Sequence, residues 1–334
     1  MPEFPLSVLD LSPIGTGYGA SQSLRHSREL AQRAEALGYK RYWVAEHHNI
    51  PSVASSSPEV LIAHLAAHTS TIRLGSGGIM LPNHVPLRIA EAFLTLEALY
   101  PDRIDLGIGR APGADHATMR ALRPFDSEQY PAQLAEMMQL ASGGYTGDHP
   151  LAGVRAIPDD VDLPPIWLLG SSGGTARLAG MLGTGYSFAR HFSPAPPRPA
   201  IDAYRAAFKP SRHFPESHVI LGVSVICAET MERAEQLASS LDLVLLGLRL
   251  GKPGRVPSPD EAAAYQFTPE ESAAVRNFRT QHFIGTPDIV REQIEAVMEE
   301  TGADEAMIAS TIYDPADRMR SYELVAEAFG LNHQ

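Results

Sequence analysis

The feature that most constrains this chain is an alternation. Short apolar runs, each bounded by Gly, Pro or charge, are followed by longer stretches with helical spacing. Eight such runs fall near Leu6–Ile14, Arg41–His48, Ile72–Leu81, Ile104–Ile108, Ile166–Gly170, Tyr186–Arg190, Val219–Ala228 and Ala306–Thr311. Short and apolar without a polar face, they read as strands covered on both sides, the habit of parallel sheets. Between them, Leu24, Leu30, Ala34 and Leu37 share one helical face, and Gly38 follows as a stop signal. Ser57-Pro58 and Thr286-Pro287 mark helix starts by cap and proline, and Thr268-Pro269-Glu270-Glu271 is a capping box.

Eight strand–helix units in 334 residues predict a closed (β/α)8 TIM barrel, an α/β fold, as one domain over 1–334. An open doubly wound sheet is the competitor, because its local pattern is the same. The repeat breaks once: roughly 75 residues separate the seventh and eighth runs, against ~30 in a plain unit. Within the break, Arg249–Ala263 is rich in Pro and Gly and reads as irregular chain. Because it follows a barrel strand, residues 249–282 are expected to form a lid on the catalytic face, with Arg249 turned to substrate.

Charge removes some function classes. With 27 Lys+Arg against 39 Asp+Glu the net charge is −12, which argues against a nucleic-acid partner or an anionic-membrane surface. Cys227 is the only cysteine, so neither a disulfide framework nor a CxxC metal site is expected. No apolar run approaches the ~18 residues of a membrane span. The start, MPEFPLSVLDLSP, lacks the basic region and long apolar core of a signal peptide, and a cytoplasmic protein is expected.

In a barrel the C-terminal strand ends carry the chemistry. The fifth run leads into Gly170-Ser171-Ser172-Gly173-Gly174-Thr175 and then a helical stretch. Free backbone N–H groups at that helix start, with the hydroxyls of Ser171, Ser172 and Thr175, suit an anion such as a phosphate; an ordinary tight turn is the plain alternative. Arg110, at the end of the neighbouring run, can pair with a phosphate bidentately, or else with Asp105 or Asp115. Gly107 and Gly109 imitate a dinucleotide fingerprint, but the spacing is GxGxxxG on the fourth strand. Gly77-Gly78 inside a strand needs a reason: close approach of a flat ligand ring, or a bulge at the rim. Alternation sends His47 and His48 to opposite faces, so one faces the mouth as a proton donor and the other is structural. His64 and His68 are spaced like metal ligands, but the HExxH glutamate is missing and their helix lies outside.

Taken in order, Glu46-His47-His48, Leu74–Glu91 (LGSGGIMLPNHVPLRIAE), Asp105–Gly113 (DLGIGRAPG), Leu169–Ala179 (LGSSGGTARLA) and Phe283–Ile294 (FIGTPDIVREQI) resemble the bacterial luciferase-like monooxygenase family, and most closely its single-chain, non-luminescent group. The resemblance implies a barrel using reduced flavin (FMN) and molecular oxygen. It matches His47 to the histidine that supports the flavin hydroperoxide, and Gly77 and Gly78 to the pair joined by a cis peptide under the isoalloxazine. It matches Arg110, Ser171, Ser172, Gly173 and Thr175 to the phosphate-binding positions. Where luciferases carry a reactive cysteine this chain has Gly109, and their lid sequence is absent, so light emission is not implied. The expected function is therefore a flavin-dependent monooxygenase acting on a small organic substrate through a C4a-peroxyflavin. The alternatives are hydride transfer with the deazaflavin F420, and a non-catalytic flavin-binding protein. A separate flavin reductase and a homodimer are the expected partners.

Overall fold

The computed structural model describes residues 4–122 and 126–331. In chain order the strands are β1 (Leu6–Asp10), β2 (Arg41–Val44), β3 (Arg73–Ser76), β4 (Ile79–Met80), β5 (Ile104–Gly109), β6 (Ile166–Leu169), β7 (Gly185–Phe188), β8 (Val219–Cys227), β9 (His282–Gly285) and β10 (Glu305–Ala309). The helices are α1 (Ala20–Ala36), α2 (Pro58–Ala66), α3 (Pro86–Leu99), α4 (His116–Leu122), α5 (Tyr130–Ala141) and α6 (Gly173–Leu182). They continue as α7 (Arg198–Ala207), α8 (Met231–Arg249), α9 (Pro259–Ala264), α10 (Pro269–Arg279), α11 (Pro287–Thr301) and α12 (Pro315–Ala328).

Every pairing between these strands is parallel. The order runs β10-β1-β2-β3-β5-β6-β7-β8 and closes because β8 also pairs with β10, so the sheet is an eight-strand barrel and the open-sheet alternative falls. β4 continues the line of β3 after the break at Gly77-Gly78 and pairs with β5.

The break in the repeat is more ordered than the sequence suggested. β8 has nine residues; Ile220–Ser224 pair with β10, while Ser224–Cys227 rise past the barrel and pair with β9. That extra strand was not read from the sequence, and neither was α9. The stretch expected to be irregular holds a short helix whose Ser258 caps Glu261 in a complete capping box. The Thr268 box is formed as expected. Ser57 and Thr286 also stand at N-caps, but their side chains make no cap bond, so proline at the first turn is what those starts retain. Residue 256 ties the insertion to the β1 loop: Val256 N donates to Ile14 O and Thr16 N donates to Val256 O, each at 2.9 Å.

Alternation sorts the strand residues into two cores. Leu6, Val8, Tyr42, Val44, Leu74, Leu106 and Leu221 face the helices, while Leu9, Trp43, Trp167, Ile220 and Met307 fill the lumen. Glycine makes room for the tryptophans: a Cβ on Gly185 would stand 2.2 Å from the Trp167 ring, and one on Gly75 2.7 Å from Trp43 Nε1. The N-terminal end of the lumen is sealed by charge. Arg41 donates to Glu305 at 2.7 and 3.0 Å and to Asp105 at 2.7 Å, and Arg73 donates to the other Asp105 oxygen at 2.7 Å. Burial alone would raise the Glu305 pKa; Arg41 overrides it and holds the carboxyl at about 2. Two clefts of about 240 and 250 Å³ lie at this sealed end and share no residue with the mouth.

Candidate active site

At the C-terminal mouth, just past the end of β2, the buried Glu46 is followed by His47 and His48, both part-buried. His48 Nε2 and His84 Nε2 both bond Glu46 Oε1 at 2.8 Å, and Met80 N donates to Glu46 Oε2 at 2.9 Å. Glu46 is thus a buried clamp that joins β2 to the chain just after Gly77-Gly78. Burial works against its ionisation, but the two imidazoles win and hold the carboxyl at about 2. His84 is the partner that sequence reasoning missed; burial lowers its pKa, and Glu46 more than reverses this.

His47 is fixed by its backbone N–H to Ser55 O at 3.0 Å. Its Nδ1 is buried and finds no hydrogen-bond partner among the described residues. Burial lowers its pKa against the attraction of Glu46, so the ring is neutral at neutral pH.

The Gly77-Gly78 peptide is cis. The two glycines have a steric reason within the protein: a Cβ on Gly77 would meet Leu9 Cδ1 at 2.5 Å, and one on Gly78 would meet Gly107 O at 2.7 Å. Their need is set by the barrel wall, so the glycines alone do not argue for a ring packed against them.

Arg110 directly follows β5, and the register Gly109↔Leu169 sets it beside Gly170 and the turn into α6. Both acids offered as partners are engaged elsewhere: Asp105 in the barrel floor, and Asp115 at the start of α4, where it accepts from Ala117 N, Thr118 N and Asn49 Nδ2. Arg110 is exposed and has no ion pair among the described residues. Across from it the hydroxyl of Tyr130 is buried and unpartnered among those residues, and feels the Arg110 charge. Tyr130 carried no sequence signal, because only the fold brings α5 to this corner.

The start of α6 is open. Ser172 is its N-cap and its side chain makes no cap bond. A Cβ on Gly173 would meet only Arg177 Nη2, at 3.6 Å, and one on Gly174 only Ser172 Oγ, at 4.0 Å. Thr175 is buried under the turn, against Gly170. Unpaired guanidinium, uncapped helix start and orphaned phenol are together what a phosphate needs, so the residues fit a phosphorylated cofactor. Arg249 ends α8, is exposed, and stacks 6.0 Å over the Phe278 ring. His64, on α2, and His68, just past its end, are exposed, with ring centroids 4.4 Å apart.

Residues 4–305 match the family model for luciferase-like monooxygenases. The chain belongs to the luciferase-like monooxygenase family. It is 41% identical over 324 residues to a luciferase-like monooxygenase of Escherichia coli K12, covering 96% of each chain. It is 35% identical over 329 residues to the N-acetyl-S-alkylcysteine monooxygenase of Bacillus subtilis, covering 97% of each. Among solved structures, apo-MsnO8 superposes with a TM-score of 0.90 at 40% identity and 99% coverage of both chains. Family and fold agree with the resemblance read from the strand ends. Among the described residues no helix is long and apolar enough to cross a membrane.

Proposed function

We propose that this protein is a monooxygenase that binds reduced FMN and uses molecular oxygen on a small organic substrate. The observation that carries the reading is the corner where unpaired Arg110 meets the uncapped start of α6. Arg110 and the N–H groups of Gly173, Gly174 and Thr175 would hold the phosphate, with Ser171 and Ser172 as further donors and Tyr130 Oη closing the cradle. When bound, reduced flavin supplies the activation of oxygen, a chemistry no side chain here can perform.

The chain's own residues do the rest. Gly77 and Gly78, held by the Glu46 clamp, form the wall between phosphate corner and mouth. His47, neutral and with an unspent Nδ1, holds or returns a proton in the chamber. The insertion over 249–282, tied down through Val256, acts as the lid that excludes water, with Arg249 at its edge. Reduced flavin comes from a separate reductase, since this chain has no dinucleotide fingerprint on its first strand, and the enzyme works as a homodimer.

A thioether is the first substrate class to try, since a relative covering the whole barrel oxidises one type of S-alkyl cysteine. The test supplies reduced FMN, ¹⁸O₂ and a panel of thioethers and ketones. Label in an organic product supports the reading. Label confined to hydrogen peroxide across the panel counts against it.

A further inference from the structure

Two short segments leave the barrel side by side. β4 pairs with β5 as far as Met80↔Gly109, and beyond that pair the chains run on in step. Leu81–Asn83 makes one 3-10 turn before α3, while Arg110-Ala111-Pro112-Gly113 leads from β5 toward α4. Three residues past the last pair, on each side, they meet again: Asn83 Nδ2 donates to Pro112 O at 2.8 Å. Pro112 has no N–H to give, so its carbonyl is its one backbone handle. Among the described residues two hydrogen bonds fix the far end of this link, that one and His48 N to Gly113 O at 2.9 Å. Gly113 stands at φ 61, and a Cβ there would meet Glu46 O at 2.8 Å, so the link lies on the clamp residue itself.

Asn83 is a costly residue to bury. It is 8% exposed, and its Oδ1 has no partner among the described residues. An unpaired buried amide oxygen is unfavourable, and a side chain that merely filled this space would be apolar. Nor does the amide serve its own turn: Val85 is the N-cap of α3, and the one hydrogen bond of the Asn83 side chain among the described residues goes to Pro112. The amide is fixed this way round, because turning it would set Oδ1 against the Pro112 carbonyl.

What the bond holds is the Arg110 link. Arg110 is exposed and without an ion pair among the described residues, and its backbone lies between the ladder at Gly109 and the pinned Pro112. On its other side the Met80–His84 stretch is pinned to Glu46, where Met80 N donates to one carboxylate oxygen and His84 Nε2 bonds the other. The stretch therefore joins the Gly77-Gly78 wall, the clamp and the Arg110 link into one bracket.

We propose that Asn83 is a positioning residue for Arg110: through Pro112 it fixes the guanidinium relative to the Gly77-Gly78 wall, and so fixes where Arg110 meets the phosphate of reduced FMN. This deepens the monooxygenase reading and rests on it. The effect is confined to the phosphate end of the cofactor.

The test compares reduced FMN with reduced riboflavin, which lacks the phosphate, by anaerobic fluorescence titration of the full chain. The quantity read is the ratio of the two affinities in wild type, Asn83→Leu, Arg110→Ala and the double variant. Leu keeps the branched shape of Asn and cannot donate to Pro112 O. Asn83→Leu should weaken reduced FMN about tenfold and leave riboflavin within about twofold. Added to Arg110→Ala, it should change the ratio by less than about twofold, because its route to the phosphate is gone. Asn83→Asp, which sets an acceptor against Pro112 O, should lower the ratio likewise, and is read in the same way if Asn83→Leu fails to fold. An equal loss for both flavins, an unchanged ratio, or a further fall in the double variant would each overturn the proposal. A ratio that falls in Arg110→Ala but not in Asn83→Leu overturns the bracket and leaves the flavin reading intact. A ratio of one in the wild type sinks the phosphate corner and this proposal with it.

Discussion

Glu46→Gln is the substitution whose consequence can be worked furthest. The buried Glu46 carboxyl is held at about 2 against an ordinary 4.5, because the hydrogen bonds from His48 and His84 outweigh desolvation. At 1.36 kcal/mol per unit, the ionised clamp contributes about 3 kcal/mol above the unfolded-state pKa. A neutral glutamine keeps one acceptor oxygen but turns an amide donor toward groups that themselves donate. The loss should therefore approach the full figure. For 334 residues the unfolding entropy is about 0.7 kcal/mol per degree, so the melting midpoint should fall by about 4–5 °C.

The pH profile gives the sharper check. A depressed carboxyl pKa means that the stabilisation is present above about pH 4.5 and is lost as pH falls toward 2. His84 has the opposite sign: its raised pKa gives stability present below about 6.5 and lost as pH rises through the folded value. The gap between wild type and variant should accordingly peak between about pH 5 and 6, shrink somewhat above neutrality and collapse in acid. Urea unfolding at several pH values measures it directly. A gap under ~1 kcal/mol, or one that is equal at pH 3 and pH 6, would refute the clamp argument.

Three further outcomes follow from the site. Arg110→Ala should weaken reduced FMN by roughly 10–100-fold, the worth of a charge-assisted bond, and leave riboflavin within about twofold; equal losses in fluorescence titrations would remove the phosphate role. His47→Ala should bind reduced FMN within about threefold of wild type, yet release more hydrogen peroxide per oxygen consumed, since the loss is confined to proton handling. An unchanged peroxide yield in a coupled peroxidase assay would take His47 out of the chemistry. Val256→Asp should free the insertion from the β1 loop by burying a charge at a fully buried site, and raise peroxide release several-fold. No change in that yield would mean that the insertion is not a lid.

The barrel itself was legible because each wall strand is a short apolar run, and eight of them close a ring. β9 was not, since His282-Phe283-Ile284-Gly285 is only four residues and pairs with half of one neighbour. The clue that could have exposed it is the length of β8: nine buried residues exceed what the barrel wall uses, and the surplus needs a partner. Alternation separated His47 from His48 but did not choose between them, and it was the family resemblance that singled out His47; Arg110 and the α6 start were brought together by their place at adjacent strand ends. Tyr130 and the bond from Asn83 to Pro112 were not readable. The bond forms only because β4 and β5 leave the barrel in register, and Tyr130 reaches Arg110 only through the packing of α5. Local periodicity carries no information about such meetings, which depend on tertiary register.

On the proposed function, the phosphate corner and the mouth together serve reduced FMN. An anaerobic titration with reduced FMN and, separately, reduced F420, followed by rapid mixing with oxygen, tests it most directly. Tight, saturable binding of reduced FMN and oxygen consumption by the complex are the expected results. Selective binding of reduced F420 with no reaction toward oxygen would contradict it and move the protein to hydride transfer.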